Sequence, residues 1–204
     1  SESTTWSPDS SFTLVEKGLV LKPYPCCRAL HRCIEAILAL KSEYQISAEN
    51  VSEVICKTSA IIRNFLPYSR PKTGLQGKFS MQYCMAIALL DGSVGIRQFT
   101  DERANKPDIQ ALIGKVKYGP DKSSREEPEE VTVRLRGGRE YTQAITIAKG
   151  DPENPMTEAE VAAKFRNCSG SVLAPSKREQ ALEYLSRLET LARVSELMDA
   201  LRPD

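Results

Sequence analysis

Two runs of alternating apolar and polar residues around a Gly-Gly pair constrain this chain more than any other feature. Val131-Thr-Val-Arg-Leu-Arg136 leads into Gly137-Gly138, and residues 140–148 follow. Period-two alternation lines one face of a strand with apolar side chains, and glycine supplies the left-handed backbone of a tight turn. The segment is expected to form a β-hairpin, so an all-helical fold is excluded. A second strand is expected over residues 51–58, with Val51, Val54 and Ile55 as its apolar positions.

Helical periods surround these strands. Over residues 26–44, Leu30, Cys33, Ile34, Ile37, Leu38 and Lys41 recur at three- and four-residue steps. A further helix spans residues 80–90 and stops at Asp91-Gly92. Thr100 or Asp101 suits the cap of a short helix, and Pro107 suits the first turn of one over 108–113. In the tail, Thr157 with Glu160 and Ser176 with Glu179 have capping-box spacing ahead of apolar residues. A last short helix runs to about Leu201.

Strands among helices, then helices alone, with neither regular alternation nor internal repeat, give an α+β fold class. The expected organisation is a flexible or linking segment over 1–18, an α+β domain over 19–150 and a helical segment over 151–204. Phe12, Leu14, Leu19 and Leu21 alternate ahead of Lys22-Pro-Tyr-Pro25, whose two prolines hold the backbone extended. The tail's apolar face needs a partner that this chain does not supply.

Across the 204 residues, 28 Lys+Arg oppose 27 Asp+Glu, for a net charge of +1. That balance gives no field to draw in nucleic acid or an acidic membrane. No apolar run approaches the length of a bilayer span, and residues 1–11 lack the pattern of a signal peptide. Six cysteines and one histidine leave poor material for a structural zinc site, so no metal is expected. Reduced thiols and a cytoplasmic location are the expectation.

No phosphate-cradling glycine loop, nucleophile elbow or metalloprotease helix is present. Cys27 and His31, one helical turn apart, have the spacing of a nucleophilic pair, although a packed cysteine beside a helix histidine has the same spacing. Proton-active and basic groups gather instead at two helix N-termini. Lys22 precedes the first, with His31 in its second turn. Lys78, Ser80 and Tyr83 open the second, downstream of Arg70 and Lys72. Helix N-termini favour anions, and lysines add full charges. Lysine, histidine and tyrosine together suit holding a polycarboxylate and moving a proton at its α-carbon. The plainer reading of the same residues is solvated lysines, a core Tyr83 and a half-buried His31.

Lys22-Pro-Tyr-Pro-Cys-Cys-Arg-Ala-Leu-His31 resembles the K-P-Y-P-x-C-R-x-x-H segment of the MmgE/PrpD family. In the family's order, Lys72-Thr-Gly-Leu-Gln-Gly-Lys-Phe-Ser80 is similar to its K-T-G-L-x-x-K-F-S run, and residues 83–92 continue it. Phe99-Thr-Asp-Glu-Arg103, Gly150-Asp-Pro-Glu-Asn-Pro155 and Lys164-Phe165 also fit. The resemblance covers roughly residues 18 to 200.

It implies a small α+β lid over a large N-terminal helical domain, with the cleft between them and the final helices returning to pack on the helical domain. This chain then looks like the lid plus those helices, and the other partners implied are that domain and a second copy in a homodimer. Activities in the family include 2-methylcitrate dehydration (in propionate metabolism), cis-aconitate decarboxylation and iminodisuccinate epimerisation, none needing a metal or organic cofactor. The resemblance makes Lys22, His31 and Tyr83 the catalytic candidates, with Lys72, Lys78, Ser80 and Cys27 in the substrate pocket. Lys22 would pair a carboxylate, and the Tyr83 phenol would donate or relay a proton. One position departs: cis-aconitate decarboxylases have a histidine five residues after the lysine, where this chain has Cys27. A thiol is a poorer acid–base group near neutrality, which counts against decarboxylation. The expectation is a lyase or isomerase of small di- or tricarboxylates. Its rivals are a non-catalytic binding or scaffold module that keeps the lid fold, and an isolated piece without activity.

Overall fold

The computed structural model describes residues 16–122 and 127–203; Phe12 and Leu14 lie outside them. The first long helix, α1 (His31–Glu43), follows a 3-10 turn at Arg28–Leu30. Its start is later than the residue-26 expectation for a local reason. Cys27 is extended (φ −58°, ψ 135°), and its N–H goes to the Lys78 carbonyl at 2.9 Å rather than into a helical turn. Of the expected face, Leu30, Cys33, Ile34 and Ile37 are fully covered and Leu38 and Lys41 half-buried, while Leu40, outside that pattern, is fully covered too.

Strand β1 (Val51–Lys57) is followed by one-turn helices at Ile62–Phe65 and Gly74–Gly77, then α2 (Met81–Asp91). Ser80 caps α2 by accepting from the Tyr83 N–H, and Gly92 ends it in the left-handed region (φ 66°). From Met81 to Leu89 only Gln82 escapes burial, so α2 is a core helix rather than a surface one. Thr100 caps Asp101–Ala104, as the spacing suggests, and α3 (Pro107–Ile113) has Pro107 at its first position.

The chain then forms β2 (Val116–Tyr118), β3 (Glu129–Leu135) and β4 (Glu140–Ile145). Among the described residues these strands make one sheet of order β2-β1-β3-β4. β1 runs parallel to β2 and antiparallel to β3, and β3 pairs with β4 as the expected hairpin. One sheet face is apolar: Val54, Cys56, Val131 and Val133 are buried, and α1 packs against the β3–β4 side. The other carries Glu53, which pairs with Lys117 at 2.7 Å and Arg134 at 2.8 Å, and Thr132 opposite Thr142. α2 lies between α1 and α3. The class is α+β. Short β2 has too few residues to show a period.

Three helices follow: α4 (Glu158–Ser169), α5 (Pro175–Ser186) and α6 (Val194–Ala200). Thr157 and Glu160 form the expected capping box. Ser176 and Glu179 do not. Pro175 already occupies the first position of α5 behind Ala174, and Glu179 binds Arg166 of α4 through two bonds of 2.8 and 2.7 Å. An Arg–carboxylate fork within reach outcompetes a neutral cap. No helix among the described residues is long and apolar enough to cross a membrane.

Candidate functional site

The 22–31 segment is held from both sides. The Leu21 N–H donates to the Gly150 carbonyl at 2.9 Å, and Gly150 has φ 88°. A Cβ there would lie 1.8 Å from the Leu21 oxygen, so this contact admits only glycine. On the other side, the Cys27–Lys78 backbone bond ties the segment to the 72–80 run. That bond joins two stretches singled out in the sequence. Lys22 is exposed and its Nζ reaches the Cys26 carbonyl at 3.5 Å.

His31 is buried, with 1% of its surface exposed. Its Nδ1 lies 3.0 Å from Nη1 of Arg28. A guanidinium has only donors, so Nδ1 accepts and Nε2 carries the ring proton. Nε2 meets no partner at hydrogen-bond geometry among the described groups. The Tyr24 ring stands edge-on to the imidazole, centroids 5.2 Å apart. Arg28 in turn pairs with Asp151 at 2.5 Å and reaches the Lys149 carbonyl at 3.4 Å. Cys26 is buried and Cys27 half-buried.

The 72–80 run is braced by the Phe99–Arg103 stretch. The Gly74 N–H donates to Asp101 Oδ1 at 2.8 Å, and a Cβ on Gly74 would come within 2.1 Å of the Phe99 oxygen. Lys78 is half-buried, its Nζ 6.0 Å from the Phe99 ring centre. Lys72 is exposed, and its backbone bonds Gln76 and Asn105.

Ser80 and Tyr83 are fully buried. The Ser80 oxygen is engaged as the cap of α2. The Tyr83 ring lies against Gly77 and Phe99, and its hydroxyl donates to the Gln98 carbonyl. Burial pushes the phenol above the ordinary tyrosine range. In this arrangement both residues belong to the frame that shapes the 72–80 run.

The structure thus brings Lys22, Cys27, His31 and Lys78 to one backbone junction, sets Ser80 and Tyr83 in its support, and leaves Lys72 at the far end of the run. A groove of about 290 Å³ beside the junction is lined by Tyr24, Lys149, Glu160, Lys164 and Asn167 among others, and by none of the seven predicted residues. Among the described residues no three His, Cys, Asp or Glu side chains converge as a metal site requires.

Sequence reasoning passed over Arg28, Gly150 and Asp151 as site residues. All three lie inside the quoted stretches. The Arg28–Asp151 pair spans more than a hundred residues, so spacing alone carries no signal of it.

The MmgE/PrpD C-terminal domain family matches residues 24–190. Among curated relatives, a cis-aconitate decarboxylase of Aspergillus terreus is 24% identical over 196 residues, covering 89% of this chain and 40% of the relative. A cis-aconitate decarboxylase of Mus musculus is 23% identical, with coverages of 96% and 42%. A cis-aconitate decarboxylase-like protein of Aspergillus oryzae is 25% identical, with 87% and 39%. The chain spans about two fifths of the length of these relatives.

Proposed function

Since the chain belongs to the MmgE/PrpD family, we propose that it is the C-terminal part of a cofactor-independent lyase or isomerase acting on small di- or tricarboxylates in the cytoplasm. The reaction is of the dehydratase, decarboxylase or epimerase type. An N-terminal helical domain of the same protein supplies the other wall of the cleft, and the full-length enzyme is a homodimer. The named relatives, all cis-aconitate decarboxylases or like them, support a lyase.

The observation that carries the reading is the backbone bond from Cys27 to Lys78, which places two cationic stretches side by side at the N-terminal end of α2. Lys22 binds a substrate carboxylate, and Lys78 with Lys72 adds to the positive lining. His31, buried behind the segment, braces it through Arg28 and Asp151. Tyr83 and Ser80 hold the shape of the run, and the Tyr83 phenol stays neutral. Cys27 stands where the decarboxylase pattern has a histidine, so decarboxylation needs another proton donor.

The test is the full-length protein against a panel of polycarboxylates, amino-substituted acids included. Turnover of one member is expected. Lys22→Ala then lowers kcat/KM about a hundredfold or more, whereas Tyr83→Phe costs about tenfold or less. An unchanged rate in Lys22→Ala removes Lys22 from the mechanism. A folded full-length protein that turns over nothing on the panel leaves a binding module.

A further inference from the structure

We propose that the groove lined by the proline-flanked strap at 23–25 and by α4 is a second anion site, beside the Lys22–Lys78 junction but separate from it. It takes a small di- or tricarboxylic acid, with Lys164 as its charge and Tyr24 and Asn167 as its further donors. The unspent donors stand independently of the function proposed above; the choice of a carboxylic acid rests on it.

Lys164 is a half-buried lysine without a counter-charge. Glu160 stands one turn before it on α4, the spacing at which a helical glutamate ordinarily pairs with a lysine. Here that acid is taken. Its Oε2 accepts from the Thr157 N–H at 2.7 Å and the Thr157 hydroxyl at 3.1 Å, and it pairs with Lys149 at 3.4 Å. Among the described residues Lys164 is left with neither an acid nor a hydrogen-bond acceptor. Partial burial strips some of its water, and an anion arriving from solution restores what burial removes.

Two neutral donors line the groove with it. Asn167 follows three residues later, on the same face of α4. Its Oδ1 accepts from the Ile96 N–H at 3.4 Å, which orients the amide and leaves both Nδ2 protons without an acceptor among the described residues. A Cβ on Gly95 would lie 2.9 Å from that Oδ1, so glycine keeps the 93–96 turn open to it. Tyr24, on the strap, meets His31 through its ring, and its hydroxyl has no partner among the described residues. Burial pushes that phenol up to about 12, so it stays a donor. Ammonium, amide and phenol all donate, while the one carboxylate on the wall is occupied. Donors without an acceptor select a ligand made of acceptors, an oxyanion. Pro23, Pro25 and Met156 add apolar surface, and a volume of about 290 Å³ lies at the lower end of ligand pockets, which suits a small acid rather than a nucleotide. Lys22 is not on the wall; its Nζ turns to the Cys26 carbonyl.

The experiment reads Lys164 itself. The full-length protein is acetylated at its lysines under limiting reagent, and the extent at Lys164 is followed by peptide mass spectrometry. Citrate, succinate, inorganic phosphate or chloride is present at matched ionic strength. Citrate and succinate at saturation are expected to slow labelling of Lys164 about fivefold or more, and chloride not at all. Tyr24→Phe, which keeps the ring, raises the half-protecting citrate concentration about threefold or more. Asn167→Asp keeps an oxygen for Ile96 but replaces the amide donors with a charge, and raises it about tenfold or more. Lys22→Ala leaves it within about twofold. Equal protection by chloride, protection that neither groove variant weakens, protection lost in Lys22→Ala, or a Lys164 that is unreactive with no acid present each overturns the proposal. Phosphate protecting at a lower concentration than either acid overturns the choice of a carboxylic acid. Labelling needs no turnover: a protein inactive on the whole panel that still protects Lys164 loses the function proposed above and keeps this site, and an active one without protection does the reverse.

Discussion

The α/β layer and the helical tail are equally well specified residue by residue, yet they bury very differently. In the layer, α1, α2, β1 and β3 close on one another, and Ile34, Ile37, Leu40, Val51, Val54, Met85 and Ile87 have no exposed surface. In the tail, the buried cluster is Ala181, Leu197 and Ala200, and α4 buries no residue at all. Apolar side chains there face outward instead: Val172 is 56% exposed, Val194 62% and Met198 57%. Caps and helix-opening prolines are present in both regions. Local signals therefore make helices, while only a second apolar surface makes a core. We read the outward face of the tail as the surface the proposed N-terminal domain covers.

The largest expected effect tests the layer. Ile37→Ala removes a fully enclosed side chain between α1 and its neighbours and is expected to cost about 2–5 kcal/mol, read by urea unfolding of this chain. Leu197→Ala removes the largest side chain of the tail cluster and should cost less, about 1–2 kcal/mol, since few elements close around it. Equal costs for the two would break the contrast.

Much of the layer was legible because its periods are long and its stops are explicit. The hairpin showed in the Val131–Leu135 alternation and the Gly137-Gly138 turn, and α2 in Ser80 at one end and Gly92 at the other. Legibility failed where a contact distant in sequence decides the outcome. Cys27 donates to Lys78, so α1 starts later than its pattern. Arg166 takes Glu179, so the second capping box never forms. The site divided the same way. Lys22, His31 and Lys78 stand out as residue types at helix starts, but the burial of Tyr83 under Gly77 and the pairing of Arg28 with Asp151 are properties of the packed chain.

The layer also buries a carboxylate. Glu129, 5% exposed at the head of β3, has Arg32 at 4.0 Å and accepts from the Cys33 thiol at 3.5 Å. Burial raises its pKa above the ordinary glutamate range, more than Arg32 lowers it. A group whose folded value is raised contributes its stability at low pH and loses it as pH climbs through that folded value. Glu129→Gln removes the loss. The variant should therefore gain on the wild type as pH rises from the acid side to neutrality, by under about 2 kcal/mol in urea unfolding across that range. A gap that does not vary with pH would show that Glu129 is no more protonated folded than unfolded.

The smallest effect tests the tail most directly. Leu188 is 47% exposed and lies outside both apolar clusters, so Leu188→Ser in this chain should change stability by less than about 0.5 kcal/mol. The same substitution in the full-length protein should cost about 1–3 kcal/mol if the N-terminal domain covers this face, because a hydroxyl then replaces an apolar contact. The pair of measurements separates two explanations of exposure that one chain cannot. A tail that is merely loosely packed gives the same small value in both lengths. A tail that is half of an interface gives a small value alone and a large one in place.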